Sequence, residues 1–202
     1  MPMDSLRQRW DVVKNDKNAS WTVGLSKLKS MSVHKQFDGM IVPKKESVGG
    51  FTGTSYLMGR NALDKIFLVP ETLPNEDSWM MYAISMLPQI QIKQSGIISN
   101  YWRVHEGNSI NMMSDFDTYN RKITPRLKAP ELFLEKFKYE LPNDVVLKLE
   151  REIKCEEKRQ KKDIIGILLS DLPLVGRLRT LSMTNSSFYF FRKHFYKFFS
   201  GW

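Results

Sequence analysis

The sequence predicts an α/β body of short strands and helices, followed by a basic, mostly helical C-terminal extension. Two observations predict this fold class. Up to about residue 120, amphipathic helical stretches alternate with short apolar runs bounded by turn-forming residues. Beyond that point the pattern is helical, and Lys and Arg outnumber Asp and Glu by 18 to 10, against 13 to 12 in residues 1–120. We therefore expect two parts, residues 1–120 and residues 121–202.

The composition is that of an ordinary folded protein, with 42% hydrophobic and 26% charged residues in a chain of 202. No run approaches the roughly 18 apolar residues that a spanning helix needs. The first residues have neither the basic nor the apolar region of a secretory signal. The single cysteine, Cys155, excludes an intrachain disulfide, and its charged neighbours suggest an exposed helix face. These features favour a cytoplasmic protein.

Three helices are predicted in the body. The first covers residues 5–13, with apolar residues every three or four positions and Asp4 or Ser5 as its N-cap. A brief helix follows at residues 61–67. A longer one, residues 76–87, has an apolar stripe, and acidic residues at its start suit the positive end of the helix dipole.

Five short strands are predicted between these helices. They cover residues 21–25, 40–42, 56–58, 90–92 and 96–104. A glycine-rich stretch, residues 49–55, leads into the third strand. It lacks the helix start that a phosphate-binding loop requires, so we expect a tight turn or a place where the backbone closely approaches a ligand.

The extension is predicted to be helical from residue 130 onward. Helices are expected at residues 130–140, from Pro142, and over residues 163–181, with interruptions at Pro173 and Gly176. The chain then closes with aromatic and cationic residues interleaved over residues 188–199. This tail is too short to span a bilayer and is suited to lie at its interface.

Three motifs of the body carry candidate chemistry. The first is the glycine-rich approach to residues 54–60. The second is the acidic pair Glu76-Asp77 at the start of a helix. The third, at residues 101–109, reads Tyr-Trp-Arg-x-His-x-x-x-Ser. Each motif alone is a weak signal, and the three in this order make a more specific one.

The order and spacing of these motifs resemble the second half of inverting GT-A glycosyltransferases, the large family-two group. The segment Met1-Pro2-Met3-Asp4 is similar to the one that follows the family's metal-binding Asp-x-Asp. The resemblance covers residues 1 to about 115, and the family's Rossmann-like first half has no counterpart in the sequence. It implies a partial GT-A (nucleotide-diphospho-sugar transferase) fold that contains the acceptor side, with most of the donor-binding half absent.

The resemblance implies that Asp77 is the catalytic base. In an inverting transfer the acceptor hydroxyl loses its proton as it attacks the anomeric carbon, and a general base typically contributes roughly 10²–10⁴ in rate. Glu76 would support Asp77 or bind acceptor hydroxyls. The alternative is that both are first-turn acids that stabilise the helix by about 0.3–1 kcal/mol each.

The resemblance also implies that Arg103, His105 and Ser109 bind the donor diphosphate, where a cation or metal offsets the charge that develops on the leaving group. A neutral imidazole can bind Mn²⁺, so His105 is the candidate ligand for a divalent metal, Mn or Mg. The alternatives are that His105 is a hydrogen-bonded residue at a strand end and that Ser109 closes a turn.

Acceptor contacts are expected from Gly53, Thr54, Ser55 and Trp79, on the strand and helix that line the acceptor site in the family. The expected function is therefore transfer of a sugar from a nucleotide-diphosphate donor to a glycan or lipid-linked acceptor, with inversion. The alternative is a non-catalytic acceptor-binding module, active only with a partner chain that supplies the donor half.

The charge distribution predicts the remaining partners. Because the basic excess lies in residues 121–202, we expect peripheral attachment of the tail to an anionic membrane surface on the cytoplasmic side. A nucleic-acid partner is not expected, since the body is almost neutral and the helical extension matches no known nucleic-acid module.

Overall fold

The computed structural model describes residues 2–105 and 114–194, and it confirms a mixed α/β chain. The chain forms two compact units, Met1–Asn108 and Ser109–Trp202. All the described strands belong to unit 1 and the described part of unit 2 is helical. Residues 114–120, which the sequence assigned to the body, therefore fall in the second unit.

Unit 1 consists of three α-helices and four strands in its described part. In chain order these are α1 (Ser5–Lys14), β1 (Thr22–Met31), β2 (Ile41–Val42), β3 (Tyr56–Met58), α2 (Arg60–Ile66), α3 (Asp77–Met86) and β4 (Gln91–Arg103). The helices lie within one residue of their predicted bounds.

Strand β1 is the centre of the sheet. It pairs in parallel with β4 along its whole length, from Thr22 opposite Gln91 to Met31 opposite Arg103. Strands β2 and β3 both pair antiparallel with β1, at different positions along it. Because a strand has only two edges, β2 and β3 share the edge opposite β4. The prediction ended β1 at Leu25, too early, since the two lysines that follow read as solvent-exposed.

Strand β4 is one continuous strand where the sequence predicted two. Over its length β1 advances nine residues and β4 advances twelve, so β4 carries three extra residues in bulges around Gly96 and Ser99. The Ser95 and Ser99 hydroxyls donate to the Leu25 and Lys27 carbonyls at 2.8 and 3.1 Å, which supplies hydrogen bonds where the ladder is irregular. The bulges break the apolar alternation, and this made the strand look like two.

Helix α1 packs against the sheet through a glycine of β1. A Cβ built on Gly24 would lie 2.8 Å from Val13 Cγ2, so a side chain there would push the helix away. Arg9 is buried and its guanidinium donates to the Tyr56 carbonyl, which ties α1 to β3. Asp4 occupies the N-cap position in a left-handed conformation without a side-chain capping bond, so the predicted cap is not formed.

Unit 2 consists of six α-helices in its described part. They are α4 (Phe116–Ile123), α5 (Ala129–Phe137), α6 (Asn143–Gln160), α7 (Ile164–Leu168), α8 (Leu174–Leu181) and α9 (Ser186–His194). Asp115 caps α4 by accepting the Thr118 amide at 2.9 Å, and Asp163 caps α7 by accepting the Gly166 amide at 2.8 Å.

Cys155 lies in the core of unit 2, and the prediction of an exposed face was wrong. It is 1% exposed and packs with Ile167 and Leu181. Successive residues of a helix point about 100° apart, so charged neighbours in sequence do not share the face of Cys155. Its Sγ lies 3.6 Å from the Ser170 hydroxyl.

The described part of the tail packs as a helix within unit 2. Tyr189 of α9 is buried, its ring lies 5.1 Å from that of Tyr119, and its hydroxyl donates to the Ser114 carbonyl at 3.0 Å. The Arg192 guanidinium lies 5.6 Å from the Tyr119 ring. Phe188, Phe190 and Phe191 stay exposed. Residues 195–199, the rest of the predicted interfacial segment, lie outside the described residues.

None of the helices in the described ranges combines the length and the apolar character that a bilayer crossing requires.

Asp16, which precedes β1, is predicted to make unit 1 sensitive to acid. Its carboxylate binds Lys93 of β4 at 2.9 Å, and this bond and the Asn18 amide hold its pKa below the ordinary value. The folded pKa is lower than the unfolded one, so this contribution is present above the unfolded pKa and is lost as pH falls through the folded pKa. We expect Asp16→Asn to lower the free energy of unfolding at pH 7, and the difference from wild type to shrink below about pH 4.

Urea denaturation at several pH values measures this, with Asp11→Asn as the control. Asp11 pairs with Lys14 across one turn of α1 in an exposed position, where ion pairs contribute little. An Asp16→Asn deficit that stays constant from neutral to strongly acidic pH would contradict the prediction.

Candidate functional site

The glycine-rich loop before β3 packs onto the protein's own central strand. A Cβ on Gly49 would lie 2.3 Å from the Leu25 carbonyl carbon and 2.5 Å from the Ser26 nitrogen. The Gly50 amide donates to the Ser26 carbonyl at 2.9 Å, and the Gly49 amide donates to the Gln94 side chain at 2.8 Å. Gly49 is therefore a glycine because β1 passes beside it, and its close approach is to protein rather than to a ligand.

Gly53, at the tip of the loop, meets the acidic pair. Its amide donates to Asp77 Oδ1 at 2.7 Å. A Cβ there would lie 2.9 Å from Asp77 Oδ1 and 3.0 Å from Glu76 Oε1. The structure thus brings together two motifs that are more than 20 residues apart in sequence, and only glycine leaves both carboxylates in place.

The Asp77 carboxylate is oriented through both of its oxygens. Oδ1 accepts the Gly53 amide, and Oδ2 accepts the Asn75 side-chain amide at 3.0 Å. Asp77 is half-buried in the first turn of α3, while Glu76, the residue before it, is exposed. A charged group held in this way is fixed in direction and keeps lone pairs for a further donor.

Some residues near this carboxylate carry buried polar atoms without a protein partner. Seven such side-chain atoms occur among the described residues, and three belong to residues of this site: Thr52 Oγ1, Tyr56 Oη and Asn75 Oδ1. Buried polar atoms are ordinarily hydrogen-bonded, and exceptions at one place call for an explanation.

Tyr56 is the most deeply buried of these three residues, at 8% exposure. Burial, and then the negative charges of Asp77 and Glu76, raise the pKa of its phenol well above the ordinary range. The hydroxyl therefore keeps its proton. With the Thr52 hydroxyl, it adds a donor to a site that also presents carboxylate and carbonyl oxygens.

An open groove of about 620 Å³ adjoins the acidic pair. The connection between α2 and α3 forms it, and Asn75 and Glu76 stand at one end. Phe67 and Leu68 contribute apolar surface, at 50% and 72% exposure. Of the acidic pair, Glu76 lines the groove, and Asp77 is the next residue along the chain.

The third motif lies at the end of the strand that borders the loop. The Asn100 side-chain amide of β4 donates to the Thr54 carbonyl. Arg103, three residues further along the strand, is about 10 Å beyond Asn100 at the usual rise. Arg103 and His105 are both exposed. Ser109 lies outside the described residues, so its predicted diphosphate contact cannot be placed.

Trp79 is a core residue and does not line an acceptor site. It is 0% exposed, and its indole nitrogen donates to the Ile66 carbonyl at 2.9 Å. The prediction that it contacts an acceptor was wrong, because helical periodicity turns Trp79 to the apolar face of α3 while Asp77 stays at the helix end.

Ser55 is also buried, and its predicted contact with the acceptor was wrong. Its hydroxyl lies 2.8 Å from the Thr52 carbonyl, is also within bonding distance of the Gly50 carbonyl, and stabilises the loop. Of the four residues predicted to contact an acceptor, Gly53 lies beside the acidic pair, and Thr54 is the exposed one.

Tyr56, Thr52 and Asn75 were not selected from the sequence. A weak signal was present for Tyr56. It is the first residue of a strand directly after a glycine-rich loop, so its side chain lies on one face of the sheet next to that loop. No comparable signal pointed to Thr52 or Asn75, because their role depends on two distant segments meeting.

Within the described residues, no group of three or more His, Cys, Asp or Glu side chains is arranged to hold a metal ion. His105 is the only residue the sequence proposed as a ligand.

No family model, curated protein or solved structure matches this chain.

Substitution of Trp79 is predicted to destabilise unit 1. Trp79→Ala removes a fully buried indole, which typically costs about 3–5 kcal/mol. Trp79→Phe should cost less, since it keeps most of the apolar contact and the Ile66 carbonyl still accepts the Leu68 amide at 3.0 Å. Chemical denaturation measures both. The control is Trp10→Ala, whose side chain is 55% exposed, and a Trp79→Ala protein as stable as this control would contradict the core assignment.

Proposed function

We propose that this chain carries the acceptor side of an inverting glycosyltransferase with a partial GT-A fold. The observation that carries the proposal is the contact between the Gly53 amide and the Asp77 carboxylate. It joins the glycine-rich motif to the acidic pair, two of the three motifs on which the resemblance rests. The parallel pairing of β1 with β4 supports it further, because it sets the third motif at the end of a strand that borders the loop.

In the proposed reaction, the acceptor hydroxyl attacks the anomeric carbon of the donor sugar from the face opposite the nucleoside diphosphate. The new carbon–oxygen bond forms as the bond to the diphosphate breaks. The hydroxyl proton passes to the Asp77 carboxylate, and the electron pair of the broken bond leaves on the diphosphate. The hydrogen bonds from Gly53 and Asn75 fix the direction from which the base accepts the proton.

Binding of a sugar acceptor is supported by the polar atoms around Asp77. Sugar hydroxyls both donate and accept, so they match the hydrogen-bonding character of the Tyr56 hydroxyl, the Thr52 hydroxyl and the Asn75 carbonyl oxygen. Glu76, exposed beside them, is assigned to acceptor hydroxyls. A glycan or a lipid-linked sugar could continue along the groove past Phe67.

Arg103 and His105 are proposed to face the leaving diphosphate, where a fixed cation stabilises the charge of the transition state. A divalent metal, Mn or Mg, enters the proposal only through His105. One imidazole does not make a metal site, and the described residues offer no cluster to complete it, so no step of the reaction is assigned to a metal.

A non-catalytic acceptor-binding module is the second candidate, with the donor half supplied by a partner chain. The same unpartnered polar atoms favour it, because they need only a bound sugar and no donor. Binding and transfer assays separate the two candidates.

Asp77→Asn is predicted to abolish transfer in an active context, such as the chain joined to a donor-binding half. We expect well under about a tenth of wild-type turnover, since a general base typically contributes roughly 10²–10⁴ in rate. The fold should survive, since the asparagine side chain can still accept the Gly53 amide, and the Asn75 amide can flip to accept from the new side chain.

Release of nucleoside diphosphate and formation of product measure this transfer, with a panel of nucleotide sugars and glycan acceptors. Asp64→Asn is the matched control, because Asp64 is an exposed acid of unit 1 that pairs with Arg60 on α2. If Asp77→Asn keeps more than a tenth of the turnover, Asp77 is not the base. Glycan binding by calorimetry, with no transfer in any context, would favour the acceptor-binding module.

The chain alone is predicted to bind nucleoside diphosphates weakly or not at all. Only Arg103 and His105 are proposed to contact the diphosphate, and the resemblance assigns base recognition to the donor half. Calorimetry with UDP and GDP, with and without Mn²⁺, tests this. Micromolar binding by the chain alone would show that these residues hold a complete donor site.

A further inference from the structure

Helices α7 and α8 carry large apolar residues both in the core of unit 2 and on the protein surface. The buried ones belong to the core of unit 2, where Ile167 and Leu181 pack with Cys155, and Leu172 and Leu178 lie against them. A short helix in a globular protein normally has one apolar side, and a helix that is apolar all round is normally covered all round. The exposed residues are therefore the feature to explain.

The exposed surface of this helix pair carries six large apolar residues that lie close together in sequence. We call it the α7–α8 patch, and its members are 38–77% exposed: Ile164, Ile165, Leu168, Leu169, Leu174 and Val175. Scattered apolar residues on a surface need no explanation, but six within twelve residues of sequence do. Patches of this kind mark surfaces that bind a partner or a membrane.

Charge around the patch identifies the kind of partner. From residue 164 to residue 175 the one charged residue is Asp171. Cations flank this stretch in sequence, with Lys161 and Lys162 before Asp163, the residue that caps α7, and Arg177 and Arg179 in α8. The Arg177 guanidinium donates to the Leu168 carbonyl at 2.6 Å, so one of these cations lies directly at the edge of the patch.

We propose that the α7–α8 patch inserts into the surface of an anionic membrane, between the headgroups and the acyl chains. Apolar side chains enter the boundary region, and the flanking cations meet lipid phosphates at the same depth. This differs from attachment through the aromatic tail, since Tyr189 packs α9 within unit 2. It also stands independently of the proposed transferase activity, which rests on residues of unit 1.

Flotation of the full-length chain with liposomes tests the proposal. The variant Ile165→Ser/Leu169→Ser/Leu174→Ser changes the three most exposed members of the patch and leaves the core side intact. We expect the wild type to float with phosphatidylcholine vesicles that contain phosphatidylglycerol. The variant should partition about tenfold more weakly, because binding strength scales with buried apolar area.

The matched control is Met3→Ser/Leu6→Ser/Val33→Ser, which changes three apolar residues of unit 1 that are 56–92% exposed. It should float within about twofold of wild type if insertion is confined to the patch. A second variant, Phe190→Ser/Phe191→Ser, changes exposed residues of α9 and shows whether the tail, rather than the patch, contributes to flotation. Circular dichroism and thermal melting establish that each variant is folded.

A fluorescent probe detects insertion directly. Cys155 is the only cysteine of the sequence and is buried, so an environment-sensitive dye can be attached at Leu169→Cys, with Tyr139→Cys, a fully exposed site, as the control. We expect a blue shift on anionic vesicles at position 169 alone.

Three results would overturn the proposal. The first is no flotation of the wild type, and the second is equal flotation of the wild type and the patch variant. The third is a wild type that self-associates in sedimentation without binding vesicles and becomes monomeric in the patch variant, which would make the patch an interface between copies of the chain.

Discussion

Burial of strand β1 is the constraint on which the rest of unit 1 depends. Its edges are paired on both sides, and nearly every residue from Thr22 to Ser30 is buried. Each buried polar group of the strand must then find a partner, since an unmade hydrogen bond costs about 1–3 kcal/mol. The partners are carbonyls of the surrounding loops. Ser26 donates to Ser55, Lys27 to Lys45, and Ser30 to Phe37.

The candidate site follows from this constraint. The Ser26 hydroxyl donates to the Ser55 carbonyl, and the Gly50 amide donates to the Ser26 carbonyl, so the loop between Gly50 and Ser55 is held at a fixed position along β1. In that position the Gly53 amide donates to the Asp77 carboxylate at the start of α3. The Asp77 carboxylate is therefore positioned by a chain of hydrogen bonds that begins in the core, which is how a rigid scaffold supports a polar group on a loop.

The elements of the fold were largely predictable from local pattern, and their contacts were not. The apolar spacing of helices α1, α2 and α3 predicted their bounds. The second half of β1 was missed because it contains Lys27 and Lys29, and β4 was predicted as two strands because its bulges interrupt the alternation. Trp79 and Asp77 lie two residues apart and were assigned to one site, but the structure sends one to the core and the other to the surface. The Asn75 and Tyr56 side chains become candidate site residues only because the glycine-rich loop packs against the start of α3. No local sequence pattern predicts that contact. For the same reason, the charged sequence neighbours of Cys155 in α6 led to the wrong prediction that it is exposed.

The bulges of β4 have a consequence for how the molecule can change. A regular strand turns its side chains to alternate faces, and paired residues of neighbouring strands face the same side. Gln91 and Arg103 are twelve residues apart, whereas their partners Thr22 and Met31 are nine apart, so the bulges place the two ends of β4 on opposite faces of the sheet. Loss or gain of a single residue near Gly96 that the bulges did not absorb would leave every motif intact in sequence and turn Arg103 to the other face. In this protein the length of an otherwise ordinary stretch of strand sets the direction in which a distant motif points.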